Sequence, residues 1–135
     1  MIVDTVAGIL VRRGMVLVEK RRRDDPSDPG LVVVPGGHVK KGESLEKALK
    51  REMREELGIK VEKTSLVVKR LYTASNDERQ RIHYFHVEKW KGRIRSREAE
   101  RVYWESRISR LSDVREQKIV GNLLKSHEGR KAESG

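Results

Sequence analysis

The chain has 135 residues, 36% hydrophobic and 39% charged, and its 31 Lys+Arg against 21 Asp+Glu leave a formal charge of +10. That length supports one domain with a modest core. The absence of cysteine excludes a disulfide framework or a thiolate metal site, and no stretch approaches the ~18 apolar residues of a membrane span.

In chain order, residues 5–11 and 15–19 are short apolar, β-branched runs around the polar turn Arg12-Arg13-Gly14, a pattern that predicts a hairpin. Residues 20–30, KRRRDDPSDPG, read as a loop rich in charge, Pro and Gly. Residues 31–34 form a short apolar strand closed by Pro35-Gly36-Gly37. A helix is expected over 44–57, with Gly58 as its stop signal. Residues 61–72 and 82–90 read as strands joined by a mobile polar turn at 73–81. A charged loop at 91–101, a strand at 102–105 and a second helix at 111–124 follow. The tail 126–135 has little to bury and is expected to fray. Strands mixed with two helices point to an α/β layer fold around a mixed sheet, with one domain over 1–125.

The N-terminal MIVDTVAGIL lacks the basic start, long apolar run and cleavage site of a secretory leader. A cytoplasmic protein without a membrane partner is therefore expected. The positive charge favours polyanionic partners such as nucleotides or nucleic acid, and a heavily solvated, heat-adapted surface accounts for it equally well.

The helix at 44–57 breaks its own pattern. At about 100° per residue, Leu45, Leu49, Glu52 and Glu56 fall in one line. The stripe is apolar in its first half and acidic in its second, with Glu55 close by on the same side. Clustered carboxylates repel, by several kcal/mol for each close pair at ~4–6 Å and an effective dielectric of ~20. Protonation, outward rotation or a hard divalent cation would relieve them. Taken alone, the three glutamates fit a solvated helix face with Glu–Lys pairs better than a metal site.

They do not stand alone. Gly37, Glu43, Arg51, Glu52, Met53, Glu55, Glu56, Gly58 and Ile59 match every specified position of the Nudix box without a gap. The chain thus resembles the Nudix hydrolases, and in its short plan their MutT-like branch. The resemblance implies an α/β/α sandwich with a central mixed sheet and a loop–helix–loop carrying the site. It implies hydrolysis of a nucleoside diphosphate linked to another group, with Mg²⁺ or alternatively Mn²⁺. On that basis Glu52, Glu55 and Glu56 would be the metal carboxylates, Gly37 would offer its carbonyl, Arg51 would hold the glutamates, and Glu43 would brace the loop.

Outside the box, WKGRIRSREAERVYW (residues 90–104) is similar to a MutT-type segment that places a further acidic residue at Glu98, with Glu100 as the neighbouring alternative. Arg21 or Arg23 would contact phosphate. Tyr84 and Phe85, with Gln117 or Asn122, are candidates for the base site, against a core role for Phe85 and a solvated Asn122. The marks of the ADP-ribose and NADH subgroups are missing, and no proline follows Pro35. The expected substrates are (deoxy)nucleoside triphosphates, including oxidised ones such as 8-oxo-dGTP, cleaved to monophosphate and pyrophosphate. No asparagine aligns with the one that reads the oxidised purine in bacterial MutT. Rival readings are another diphosphate-linked substrate, an RNA 5′ end approached through the basic 89–97 stretch, or a non-catalytic nucleotide-binding module. The oligomeric state, monomer or homodimer, stays open.

Overall fold

The computed structural model describes residues 1–134, and side chains through residue 127. In chain order the elements are β1 (Ile2–Ile9), β2 (Val11–Arg12), β3 (Met15–Lys20), β4 (Val32–Val33), β5 (Gly36–His38) and α1 (Leu45–Leu57). They continue with β6 (Lys60–Thr73), β7 (Arg79–Lys91), β8 (Arg101–Glu105), a 3-10 turn (Ile108–Arg110) and α2 (Val114–Ser134). No helix among the described residues is long and apolar enough to cross a membrane.

The larger sheet has the order β5-β1-β7-β6. It is mixed, because β1 runs parallel to β7 while its pairing with β5, and that of β7 with β6, are antiparallel. A second, antiparallel sheet is built on β3, which pairs with β2, β4 and β8. The hairpin expected from 5–11 and 15–19 is thus realised only at its tip, where Val11 faces Val16 across the turn. The chain leaves the first sheet at Leu10, so β1 and β3 belong to different sheets.

Each helix closes a separate core. Leu49, Met53 and Leu57 of α1 pack with Val6, Leu17, Ile59, Phe85 and Val87, whereas Val120 and Leu124 of α2 pack with Ile9, Val16, Val18, Val34 and Tyr84. Alternate residues of β3 supply both cores, as the two-residue period of a strand requires. Ser44 caps α1 by accepting from Lys47 N, and Gly58 ends it in the left-handed region (φ 72°), which costs a residue without Cβ little. The second helix begins three residues later than expected, behind the 3-10 turn, and is drawn to Ser134. The 73–81 connection is shorter than expected and tied down. Ala74 N donates to Glu78 O at 2.9 Å, and Ser75 N donates to Asp28 Oδ1 at 2.9 Å.

Candidate active site

The acidic half of α1 faces inward. Glu52 and Glu56 are each only 8% exposed, while the Glu55 side chain stays open to solvent, so the three carboxylates do not share one environment. Arg51 organises them. Its Nε and Nη2 donate to Glu43 at 2.8 and 2.9 Å, Nη2 also donates to His38 O at 2.8 Å, and Nη1 donates to Glu52 at 2.8 Å and Glu55 at 3.1 Å. This planar fork ties the loop before the helix to the helix itself. It also holds the Glu43 carboxyl down at about 2. Gly37, paired with Val6 across β5 and β1, lies against this face, and a Cβ there would overlap the Glu52 carboxylate.

Glu56 points the other way. Its Oε2 accepts from Gly36 N at 3.1 Å, and its carboxyl lies beside Glu19 of β3. Glu19 is 5% exposed and was missed in the sequence. The signal was present: a glutamate follows directly on the buried apolar run Val16, Leu17 and Val18 and is buried with it. Burial pushes Glu19 up to about 7, against the pull of Arg21. Burial raises Glu56 well above the ordinary carboxylate range, and Glu19 and Glu52 add to the effect. Glu52 is raised by burial too, with Arg51 opposing.

The 91–100 loop completes the wall. Arg95 N and Arg97 N donate to Leu57 O and Glu56 O at the end of α1, and Glu100 N donates to Lys20 O. These bonds bring Glu98 beside Glu19, Arg21, Asp25 and Glu56. Glu100 faces away, 3.5 Å from Lys20 Nζ, among Arg22, Arg23 and Asp24. Of the two arginine candidates, Arg21 reaches the site, donating to Asp25 Oδ1 and Ser27 Oγ at 3.1 Å with its buried Nε unpartnered. Arg23 is exposed and lies outside it.

Beside this wall, and sharing Arg21 with it, a cleft runs past Gly36 and Gly37 to α2. Thr5, Asp28, Arg70, Tyr72, Asp113 and Glu116 are among the residues that line it. The base-site candidates fare poorly. Tyr84 is fully buried in the α2 core and cannot form a cleft wall, although its hydroxyl donates to Glu116 at 2.9 Å. Phe85 is buried in the α1 core. Gln117 donates to Leu111 O at 2.8 Å, and Asn122 is exposed away from the cleft. Glu116 and Arg70 carried no sign in the sequence, because strands and a helix distant in the chain bring them together.

The donor set suits a hard divalent ion in chemistry: oxygen ligands only, with Glu19, Glu52 and Glu56 buried and raised in proton affinity by that burial. Among the described residues no three acidic or imidazole groups already converge as a metal cage. Glu52 and Glu55 are turned to Arg51 Nη1, so joint ligation calls for rotation of those side chains.

Comparison with known proteins agrees with this geometry. The NUDIX domain family model matches residues 1–120. The chain belongs to the Nudix family. This Nudix domain is 32% identical over 103 residues to an 8-oxo-dGTP diphosphatase of Buchnera aphidicola, covering 75% of each chain. It is 31% identical over 102 residues to the CTP pyrophosphohydrolase of Escherichia coli, covering 76% of this chain and 74% of that one. A crystal structure of a MutT Nudix hydrolase from Burkholderia pseudomallei superposes with a TM-score of 0.78 at 25% identity, over 90% of this chain and 97% of the other. The protein is a MutT-like Nudix hydrolase acting on phosphoanhydride bonds.

Proposed function

We propose that this Nudix domain is a Mg²⁺-dependent pyrophosphohydrolase of (deoxy)nucleoside triphosphates, oxidised ones included, in the cytoplasmic nucleotide pool. Mn²⁺ is the alternative ion. The observation that carries the reading is the acidic wall of Glu19, Glu56 and Glu98, with the buried Glu52 one helical turn from Glu56, beside a cleft that shares Arg21 with it. Two relatives are named for 8-oxo-dGTP and CTP, both triphosphates.

Glu52, Glu55, Glu56 and Glu98, with the Gly37 carbonyl, would hold the ion. When bound, a divalent ion offsets charge on the phosphates and eases deprotonation of water. The remaining steps belong to the chain. Arg51 gathers Glu52 and Glu55 on one guanidinium nitrogen, from which they would turn to the ion. Arg21, whose unpartnered Nε supports the reading, would donate to a phosphate oxygen. The water oxygen bonds to phosphorus, the bridging P–O bond breaks, and a buried carboxylate takes the proton. Burial has raised the proton affinity of Glu19, Glu52 and Glu56 toward that task. Monophosphate and pyrophosphate leave.

A panel of nucleotides with Mg²⁺, scored for pyrophosphate against phosphate, tests the reading. Pyrophosphate release, abolished by chelation, is the expected result. Stepwise release of single phosphates, or no turnover of any triphosphate, would overturn it.

A further inference from the structure

The end of the cleft at α2 holds a carboxylate that phosphate chemistry does not need. Glu116, on the first turn of α2, is 5% exposed and lines the cleft. Its Oε1 accepts from the Tyr84 hydroxyl at 2.9 Å, and its Oε2 accepts from Val34 N at 3.3 Å. A carboxylate offers about four lone-pair sites, so two protein donors leave capacity on both oxygens.

The cation nearest in the network is committed elsewhere. Arg70 pairs with Asp113 Oδ1 at 2.9 Å, donates to the Tyr84 hydroxyl at 3.3 Å, and stacks over the Tyr72 ring 5.0 Å from its centroid. Asp28 is likewise occupied, accepting from Ser75 N and from the Tyr72 hydroxyl. Among the described residues no ion pair reaches Glu116. Thr5, which also lines this cleft, has a buried Oγ1 without a hydrogen-bond partner. Val6, Ala7, Val34 and Ile82 supply apolar sides. A slot with apolar walls, an acceptor-rich floor and one unpartnered hydroxyl suits a flat heteroaromatic ring with N–H donors on its edge.

We propose that Glu116 is a specificity-determining residue that selects nucleobases carrying an exocyclic amino group, by accepting the amine hydrogens at this end of the cleft. This rests on the nucleotide reading above for which end of the cleft holds the phosphates. Guanine and cytosine present N–H donors to a carboxylate. Uracil and thymine turn an oxo lone pair toward it, and hypoxanthine differs from guanine only in lacking the 2-amine.

Matched monophosphates test this without metal or turnover. Wild type and Glu116→Gln are titrated by NMR with dGMP against dIMP and with dCMP against dUMP. At pH 8, where Glu116 is ionised, each amino-bearing nucleotide should bind wild type about tenfold more tightly than its partner, the effect of one hydrogen bond to a charged group. The amides of Val34 and Glu116 should shift on binding. In Glu116→Gln both ratios should fall to within about twofold of unity. Equal affinities within each pair in wild type, a preference that persists in the variant, or no saturable binding of any of the four would overturn the assignment. The wild-type ratios decide even if the variant does not fold. Failure to release pyrophosphate from triphosphates would sink the reaction reading and leave these ratios standing.

Discussion

Two regions of this protein bury carboxylates, and they do so by opposite means. At the α1 wall, Glu19 and Glu56 meet each other, and the guanidinium of Arg51 stands to one side on Glu43, Glu52 and Glu55. At the α2 end, Glu116 is surrounded by neutral donors, the Tyr84 hydroxyl and the Val34 amide, with each nearby charge already paired. The first arrangement concentrates like charge and invites a cation. The second satisfies a single carboxylate and leaves it free to accept from a neutral donor. Burial raises the proton affinity in both places, so the shift alone does not distinguish them. What each group faces does.

The contrast can be broken most sharply at the acidic wall. Glu56→Gln should lower the rate of pyrophosphate release by roughly a hundredfold or more while the far-ultraviolet circular dichroism stays that of a folded protein. A folded variant with wild-type turnover would remove Glu56 from the chemistry and leave the wall a structural oddity.

At the other end the expected effect is on stability. Burial, opposed by Tyr84 and Val34, pushes Glu116 from the ordinary 4.5 up to about 7. Between those two values the folded chain holds one more proton than the unfolded chain. Stability therefore falls as pH rises through that window, by up to about 3 kcal/mol from this group. Glu116→Gln should lose that slope. Because Glu19 tilts the same way in both proteins, the difference between their denaturation curves at pH 4.5 and 8 isolates Glu116. Parallel curves would place its proton affinity near that of an ordinary carboxyl.

A smaller effect is expected from Gly37→Ala, whose added methyl would overlap the Glu52 carboxylate. Displacing that group should cost roughly tenfold in kcat with a modest loss in Tm. An unchanged kcat would show that the Glu52 position is not critical. Least of all, Glu98→Gln should lower kcat by about threefold to tenfold, whereas Glu100→Gln, on the far side of the loop, should leave it unchanged. The reverse ranking would mean that the loop sits differently against α1 during turnover.

Much of the acidic wall was legible because its parts are close in the chain. Ser44, the apolar positions Leu49 and Met53, and Gly58 specify α1 through local capping and period, and the glutamates interrupt that period where the helix turns inward. The α2 end was not legible for the opposite reason. Thr5, Arg70, Tyr84 and Glu116 come from four elements, and each taken alone reads as an ordinary residue of its strand or helix. Tyr84 shows the hazard: its strand was placed correctly, but which face it lined depended on packing against α2, and it went to the core.

The sequence by itself determined the elements whose signals are local: the box helix with its caps, the long strands, and the carboxylates set along one helical line. Only the tertiary structure decided that the chain divides at Leu10 into two sheets, that Glu19 joins Glu56, that Glu98 and not Glu100 lies at the wall, and that Glu116 and an unpartnered Thr5 line one cleft. The physical reason is range. Caps and periodicity act over a few residues, whereas strand register and sheet order are fixed by pairings between segments tens of residues apart, and a shift of one position in any of them would turn a different side chain into the site.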